Sequence, residues 1–411
     1  MNLLIVTHLF PNSSDTTYGI GLVDQFGALK EIGVDLKIVV PIPYMPKVFA
    51  FIKPSWKKYV NIESQANIYG IDIFYIRYIK LPGQWFLRFE GAFMFIGIKK
   101  FLKNLRKIFK YQVVLGGGML TNDGYTALKI GQNDNIPAYS YIIGSDINVY
   151  PYISKSIYKL TYKLLNQLYG VISVGKQFAT STEEKFPGLN KKIIWNSLGI
   201  DLKRFRPKVI GEPSFFKEKY PVQNEDIIFF FVGHLIEQKG IKTLLDALLL
   251  IKDKPIKIFL AGSGDLSEWI DNFIDENNLK NKCYRLGNIA YELLPLLYRS
   301  SDVFVFPSFR EGSPKVLIEA AASGLPIIAS DIPQNKDILK NFRNGLEFKV
   351  GDQNDLSAKI QILMKNSDLR DSFSKESRRI VQSEYDLIKK AMDLESIMKL
   401  NGDIRYIGYA K

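Results

Sequence analysis

The sequence predicts an α/β protein made of two similar Rossmann-like units. The chain has 411 residues, 46% hydrophobic and 24% charged, too long for one ordinary core and amply supplied for two. Short apolar runs of strand length alternate with helical stretches from end to end, the pattern of parallel sheets covered by helices. That alternation is interrupted near residues 200–212, where Pro207, Gly211 and Pro213 cluster.

In the first half the strands read as residues 3–7, 35–40, 71–77, 113–115, 138–142 and 171–174. Helical stretches lie between them at 22–32, 93–109 and 125–131. In the second half the strands read as 227–232, 256–261, 283–286, 303–306 and 327–329, again with helices between. No tandem repeat or low-complexity segment interrupts this order. The opening MNLLIVTHLFP lacks a basic flank and reads as a first buried strand, not a signal peptide. No apolar run reaches the roughly 18–20 uncharged residues of a spanning helix. A single cysteine, Cys283, excludes an internal disulfide framework and any multi-cysteine metal site, and reads as a core thiol. Cytosol fits all of this.

Charge is shared unevenly. Residues 1–200 hold 23 Lys and Arg against 12 Asp and Glu, a net of +11 out of +13 for the whole chain. The first half therefore faces something anionic. Its densest part, residues 85–110, carries seven basic side chains opposed only by Glu90. Phe101, Leu102, Leu105, Ile108 and Phe109 recur there at helical spacing between Lys100, Lys103, Arg106, Lys107 and Lys110. Such a helix suits an anionic bilayer surface, with Trp85, Phe86, Phe93 and Phe95 as aromatic anchors. A helix packed on its own sheet with a solvated basic face is the other reading. Nucleic acid is not expected as a partner, because no nucleic-acid module appears.

The most informative stretch runs from Glu311 through Gly312, Ser313, Pro314, Lys315 and Val316 to Glu319, and on to Asp331. Two carboxylates stand eight residues apart, one beside a Gly-Ser-Pro turn and one inside an apolar helix. At 100° per residue that spacing turns both toward one side. Pro314 suits the first helical turn, whose free N–H groups form an anion site. Acid, anion cradle, acid in a row suits a sugar, a diphosphate and a ribose. Two solvated glutamates on an ordinary amphipathic helix are the plainer alternative. Turns at Gly233-His234, Gly262-Ser263-Gly264, Gly287-Asn288 and 307–313 each follow a strand of the second half. In an open parallel sheet these share one edge, where ligands sit.

These residues resemble a known pattern. Glu311-Gly-x-Pro-x4-Glu319-Ala, then Gly-x-Pro and a strand ending Ala-Ser-Asp331, resembles the donor-site signature of retaining glycosyltransferases of family four. The stretch from Val232-Gly-His to Lys239-Gly240 looks like the family's Val-Gly-Arg-Leu-x3-Lys-Gly, and Ala261-Gly-Ser-Gly264 like its Ala-Gly-x-Gly. Asn196-Ser-Leu-Gly-Ile-Asp201 with Phe205 and Pro207 resembles its lead into the second domain. The likeness is dense over residues 193–361 and thin before them.

The resemblance implies a GT-B fold, two Rossmann-like domains facing each other across a cleft. Residues 1–205 would bind the acceptor and residues 206–374 the nucleotide sugar. Residues 375–411 would send a last helix, near 375–398, back to the first domain. It also implies roles. Lys239 matches the lysine that neutralises the diphosphate, Glu311 the acid at the donor sugar and Glu319 the acid on the ribose hydroxyls. Gly312, Ser313 and Pro314 match the turn whose backbone approaches sugar and phosphate, and Lys315 and Val316 would offer helix-start N–H groups. Gly233, His234, Gly287 and Asn288 would line the same donor edge. Gly262 and Gly264 either touch the donor or only permit tight turns. The loop from Pro11 to Gly21, with Gly19 and Gly21, resembles a flexible loop near the acceptor and donor phosphates, or is a plain glycine turn. Asp146 is a candidate catalytic acid on the acceptor side, or a cap for the turn after it. His8, at the end of the first strand, either faces a ligand or satisfies a turn.

The chain departs from the family at three places. His234 stands where Arg is usual, and lacks a permanent charge and a bidentate fork. Gly116, Gly117 and Gly118 stand where many relatives carry one or two histidines, and Ile143 replaces a histidine before Gly144-Ser145-Asp146. Front-face substitution, in which the leaving diphosphate oxygen takes the acceptor's proton, strictly needs no protein base, so transfer survives these losses on paper. No Asp-x-Asp occurs, so no metal or other cofactor is expected. The expected activity is transfer of a hexosyl or N-acetylhexosaminyl group from a UDP-sugar to a membrane-associated glycan or lipid-linked acceptor. It would serve cell-surface polysaccharide or lipopolysaccharide assembly, in the cytoplasm and peripherally on the inner face of the membrane. A sugar-nucleotide epimerase and a catalytically silent sugar-nucleotide binder are the alternatives.

Overall fold

The computed structural model describes residues 1–15, 18–44, 59–81, 83–189 and 193–399. The chain forms two compact units, Met1–Gly199 completed by Leu387–Lys411, and Ile200–Asp386.

The first unit holds one sheet of strands β1 (Asn2–Val6), β2 (Asp35–Pro43), β3 (Gln65–Ile68), β4 (Ile71–Tyr78), β5 (Val113–Gly116), β6 (Ala138–Ile142), β7 (Gly170–Ser173) and β8 (Ile194–Trp195). Their order is β3-β4-β2-β1-β5-β6-β7-β8. All neighbours run parallel except β3 on β4. The edge strands β3 and β8 are additions to the six read from sequence. Central strands are apolar on both faces because helices cover both. Leu3 and Ile5 join Phe26 and Leu29 on one side of the sheet, whereas Leu4 and Val6 join Ile98, Leu102 and Leu128 on the other. That is the period-two alternation of a strand.

Helix Glu90–Ile108 lays Met94, Ile98, Leu102 and Leu105 on the sheet, an i, i+4, i+8, i+11 stripe. Its apolar face is therefore taken up by the unit's own core, not by a bilayer. Lys99, Lys100, Lys103 and Lys107 project to solvent opposite it, and Phe93 and Phe95 are half-buried. Exposed aromatics lie one turn earlier, in the short 3-10 turn Gln84–Phe89, where Trp85 is 89% exposed beside Phe86, Arg88 and Phe89.

The second unit has strands β9 (Ile227–Val232), β10 (Ile256–Ala261), β11 (Cys283–Gly287), β12 (Val303–Phe306), β13 (Ile327–Ser330) and β14 (Gly345–Phe348). They lie all parallel in the order β11-β10-β9-β12-β13-β14. β14 extends the five strands expected. Cys283 is buried, and burial pushes its thiol up to about 12, leaving it an inert core group.

The division falls after Gly199, six residues before the expected one. At the other end the boundary expected after residue 374 lies inside helix Ser367–Glu384, which stays with the second unit. Its Ser377 hydroxyl donates to Leu325 O, and Arg378 donates to the carbonyls of Leu202, Phe205 and Ala322. The helix that packs on the first unit is Leu387–Lys399, which sets Ala391, Leu394, Ile397 and Met398 against helix Ile20–Glu31. So the expected single helix is two, separated by Tyr385 and Asp386. Residues 400–411 lie outside the described residues.

Candidate active site

In the second unit the chain steps from β9 outward to β10 and β11, then returns to the other side of β9 with β12. Ligands of parallel sheets bind beyond the carboxyl ends at such a switch. The segments that follow β9 and β12 are stitched together there. Phe309 N donates to Gln238 O at 2.9 Å, and Gln238 Nε2 to Arg310 O at 2.8 Å. Gly240 closes the short turn Glu237–Lys239 with φ 68°, and a Cβ on it would stand 2.0 Å from Pro307 O. Only glycine meets both demands.

This fixes Lys239. Its Nζ lies 2.5 Å from Glu311 Oε1, which also accepts the Ser308 hydroxyl at 2.5 Å. The two side chains are 16% and 10% exposed, and Nζ sits 5.3 Å from the centre of the Phe306 ring. A lysine and an acid expected at the donor are thus brought into contact, in a site poor enough in water to strengthen their attraction. Glu311 precedes helix Lys315–Ala322 by four residues, so its place comes from β12 and Lys239 and not from helical spacing. Pro314 is the residue before that helix, one position earlier than expected.

Glu319 belongs to a second group. Its side chain is 3% exposed, Oε2 accepts the Tyr298 hydroxyl at 2.9 Å, and Oε1 lies 3.9 Å from Lys315 Nζ. Lys315 also donates to the Tyr291 hydroxyl at 2.9 Å. Burial first, then the Glu319 carboxylate, hold the Tyr298 hydroxyl far above its ordinary value. Glu319 is therefore a covered acid, not one open on a helix face.

The other donor-edge turns interlock. Gly233 N donates to Ala261 O at 3.0 Å and Gly262 N to Gly287 O at 2.7 Å. The Ser263 hydroxyl donates to Asn288 Oδ1 at 2.7 Å. A Cβ on Gly262 would stand 1.9 Å from Gly233 O, and one on Gly264 2.4 Å from Leu235 O. Close packing of turns explains both glycines. His234 is exposed beside them, and Gly312, Ser313 and Val316 are half-exposed on the facing loop and helix start.

Two first-unit assignments change. Asp146 is fully buried, and its carboxylate accepts N–H groups of Ile143 and Gly144, the latter at 2.8 Å. It holds the loop after β6 from a position closed to solvent. Burial, only partly offset by those N–H groups, raises its pKa to about 6. Gly19 precedes helix Ile20–Glu31 at φ 73°, and a Cβ there would meet Leu9 O at 2.3 Å. Turn geometry thus accounts for Gly19, while Gly21 lies within the helix. Thr16 and Thr17 of that loop lie outside the described residues.

One pair escaped the sequence. His8 Nδ1 lies 3.0 Å from both carboxylate oxygens of Asp123, and the His8 backbone N–H points to the same carboxylate at 3.1–3.2 Å. His8 follows β1, and Asp123 lies in the π-helical turn Leu120–Gly124 after β5. The first sheet switches direction between those strands. A cavity of about 300 Å³ opens there, lined by His8, Glu90, Asn122 and several tyrosines. His8 could be noticed as polar at a strand end; nothing in sequence ties it to an acid 115 residues away.

Comparison with known proteins agrees. Residues 214–380 match the family described as glycosyl transferases group 1. The putative teichuronic acid biosynthesis glycosyltransferase TuaC of Bacillus subtilis is 24% identical over 334 residues, 81% of either chain. An Escherichia coli protein named UDP-Gal:alpha-D-GlcNAc-diphosphoundecaprenol alpha-1,3-galactosyltransferase is 28% identical over 207 residues, 48% of this chain and 52% of its own. Sucrose-phosphate synthase from Thermosynechococcus elongatus has the same fold, with a TM-score of 0.78 at 18% identity over 97% of this chain and 98% of its own. The chain is a glycosyltransferase with the GT-B fold, and its residues 214–380 are of the group 1 type.

Proposed function

We propose that this enzyme moves a hexosyl or N-acetylhexosaminyl group, with retention, from a UDP-sugar to a hydroxyl of a membrane-associated glycan or lipid-linked acceptor. The step would belong to assembly of a cell-surface polysaccharide or lipopolysaccharide. The observation that carries the donor half is the Lys239–Glu311 contact at the switch point of the second sheet. A lysine there meets diphosphate charge, and the carboxylate it holds meets sugar hydroxyls. Lys239 and the N–H groups at the start of helix Lys315–Ala322 take the neutralising part in place of a metal. Two relatives support the wider setting, one named for teichuronic acid and one for UDP-galactose and a diphosphoundecaprenol sugar.

A membrane-side acceptor is supported by the first unit. Trp85, Phe86 and Phe89 are exposed beside Arg88, and the lysines of helix Glu90–Ile108 face solvent, which suits shallow insertion at an anionic surface. No described helix is long and apolar enough to cross a membrane.

Thermal unfolding with a panel of nucleoside diphosphates and their sugars tests the donor, since a bound ligand raises stability by mass action. UDP and one UDP-sugar are expected to stabilise the protein, and Glu311→Ala to abolish turnover of that donor. Binding with no turnover of any donor would leave a sensor, not a transferase.

A further inference from the structure

We propose that His8 and Asp123 form the acceptor-side base of the transfer, with Nε2 of His8 taking the proton of the attacking hydroxyl. This rests on the transferase reading above and supplies the group that the glycines at 116–118 and Ile143 had left out.

The pair sits where the first sheet changes direction, beyond the carboxyl ends of β1 and β5, which is where a parallel sheet presents a ligand. Asp123 is fully buried, while His8 is 20% exposed and lines the cavity. The carboxylate engages Nδ1 and the backbone N–H of His8 together, so it fixes the ring's orientation. With Nδ1 donating to Asp123, Nε2 of neutral His8 is an acceptor, and no hydrogen bond from the described residues occupies it. A buried acid behind a histidine that opens on a cavity is the arrangement of a positioned base.

The glycines make the pair possible. A Cβ on Gly118 would stand 2.2 Å from Asp123 Oδ2, and one on Gly116 2.9 Å from the Asp123 carbonyl. A histidine at either place would evict the acid. At Gly118 in particular, a side chain and the Asp123 carboxylate compete for one place.

The cavity suits a sugar. Tyr18, Tyr78 and Tyr150 give it aromatic walls, and Asn12 and Asn122 give amides that can both donate and accept. In the step, the acceptor oxygen bonds to the anomeric carbon of the donor. The bond from that carbon to the diphosphate breaks, its electron pair leaves on the nucleoside diphosphate, and the hydroxyl proton passes to Nε2.

Several charges face His8. Burial works to lower its pKa, but the charge and hydrogen bond of Asp123, helped by Glu90 and opposed by Lys80, leave it raised above 6.5. A base with a raised pKa gives an acidic limb in the rate, because activity returns only as the ring loses its proton.

The chain has two histidines, so imidazole NMR of the full protein reads His8 directly, and His8→Gln assigns it. Neutral His8 should carry its proton on Nδ1, and Asp123→Asn should lower its pKa. Turnover is read as UDP release from UDP-sugars with octyl glucoside and octyl N-acetylglucosaminide as hydroxyl probes. His8→Gln should lower kcat by about 10²–10⁴-fold and abolish the acidic limb with donor KM unchanged. Asp123→Asn should move that limb to lower pH. Gly118→Ala, which displaces the acid but touches neither substrate, should do the same, guarding against misfolding of the direct variants. The proposal fails if His8→Gln turns over at the wild-type rate, if neutral His8 holds its proton on Nε2, or if Asp123→Asn leaves the pKa in place. Wild-type protein that binds and turns over no UDP-sugar sinks the transferase reading instead, a result the donor arm reports separately.

Discussion

Lys239 Nζ and Glu311 Oε1 lie 2.5 Å apart across the switch of the second sheet, so each holds the other ready. Removing one partner of such a little-exposed pair strands the other. Lys239→Met is expected to weaken UDP binding about 10–100-fold, roughly 1.4–2.8 kcal/mol. Glu311→Gln should leave UDP affinity within a few-fold and abolish transfer. Calorimetric titration with UDP separates these outcomes, and equal loss of affinity in both variants would refute the division of labour.

Tyr298 and Glu319 make a second testable contact. Tyr298→Phe removes the hydroxyl donor to a nearly closed-off carboxylate, and losing such a hydrogen bond to a charged group costs about 1–3 kcal/mol. Urea unfolding should show that loss. If Glu319 also reaches a ribose, Glu319→Gln will weaken UDP more than its 2′,3′-dideoxy analogue; equal weakening assigns the acid to structure alone.

Asp146 makes the first unit sensitive to pH. Its folded pKa is about 6 against an ordinary 3.8, so between those values the folded protein holds a proton that the unfolded chain has lost. This contribution is complete below about pH 4 and disappears as pH rises through 6. A two-unit shift corresponds to about 3 kcal/mol. Unfolding midpoints of the wild type and Asp146→Asn, followed from pH 4 to 7.5, should differ in slope, only the wild type showing this loss as pH rises through 6. Parallel curves would overturn the assignment.

The exposed Trp85 is expected to anchor the first unit on anionic vesicles. Trp85→Ser should reduce sedimentation with phosphatidylglycerol vesicles several-fold, and added salt should weaken binding of wild type and variant alike. Binding to phosphatidylcholine vesicles as tight as to phosphatidylglycerol would contradict the electrostatic part.

The sheets were legible because their central strands are buried on both faces and read as unbroken apolar runs, such as Ile227–Val232 and Val303–Phe306. Gln65–Ile68 and Ile194–Trp195 were missed as short, half-covered edge strands with no such run. Lys239 and Glu311 could be named because each sits in a local motif. What hid Asp123 is that its role depends on a carboxylate meeting a residue from another strand, through space opened by Gly118. Asp146 misled for a related reason: the sequence shows an acid beside a turn but not which way its oxygens point. The last helix misled because Tyr385 and Asp386 are too brief an interruption to read.

The docking of Leu387–Lys399 on helix Ile20–Glu31 imposes an order on synthesis. The second unit is one continuous stretch and can collapse as soon as it clears the ribosome. The first must wait, its groove of apolar side chains open to water, until Ala391, Leu394, Ile397 and Met398 have emerged. Nascent chains stalled before residue 387 should accordingly be clients for chaperones, whereas full-length chains close that seam themselves.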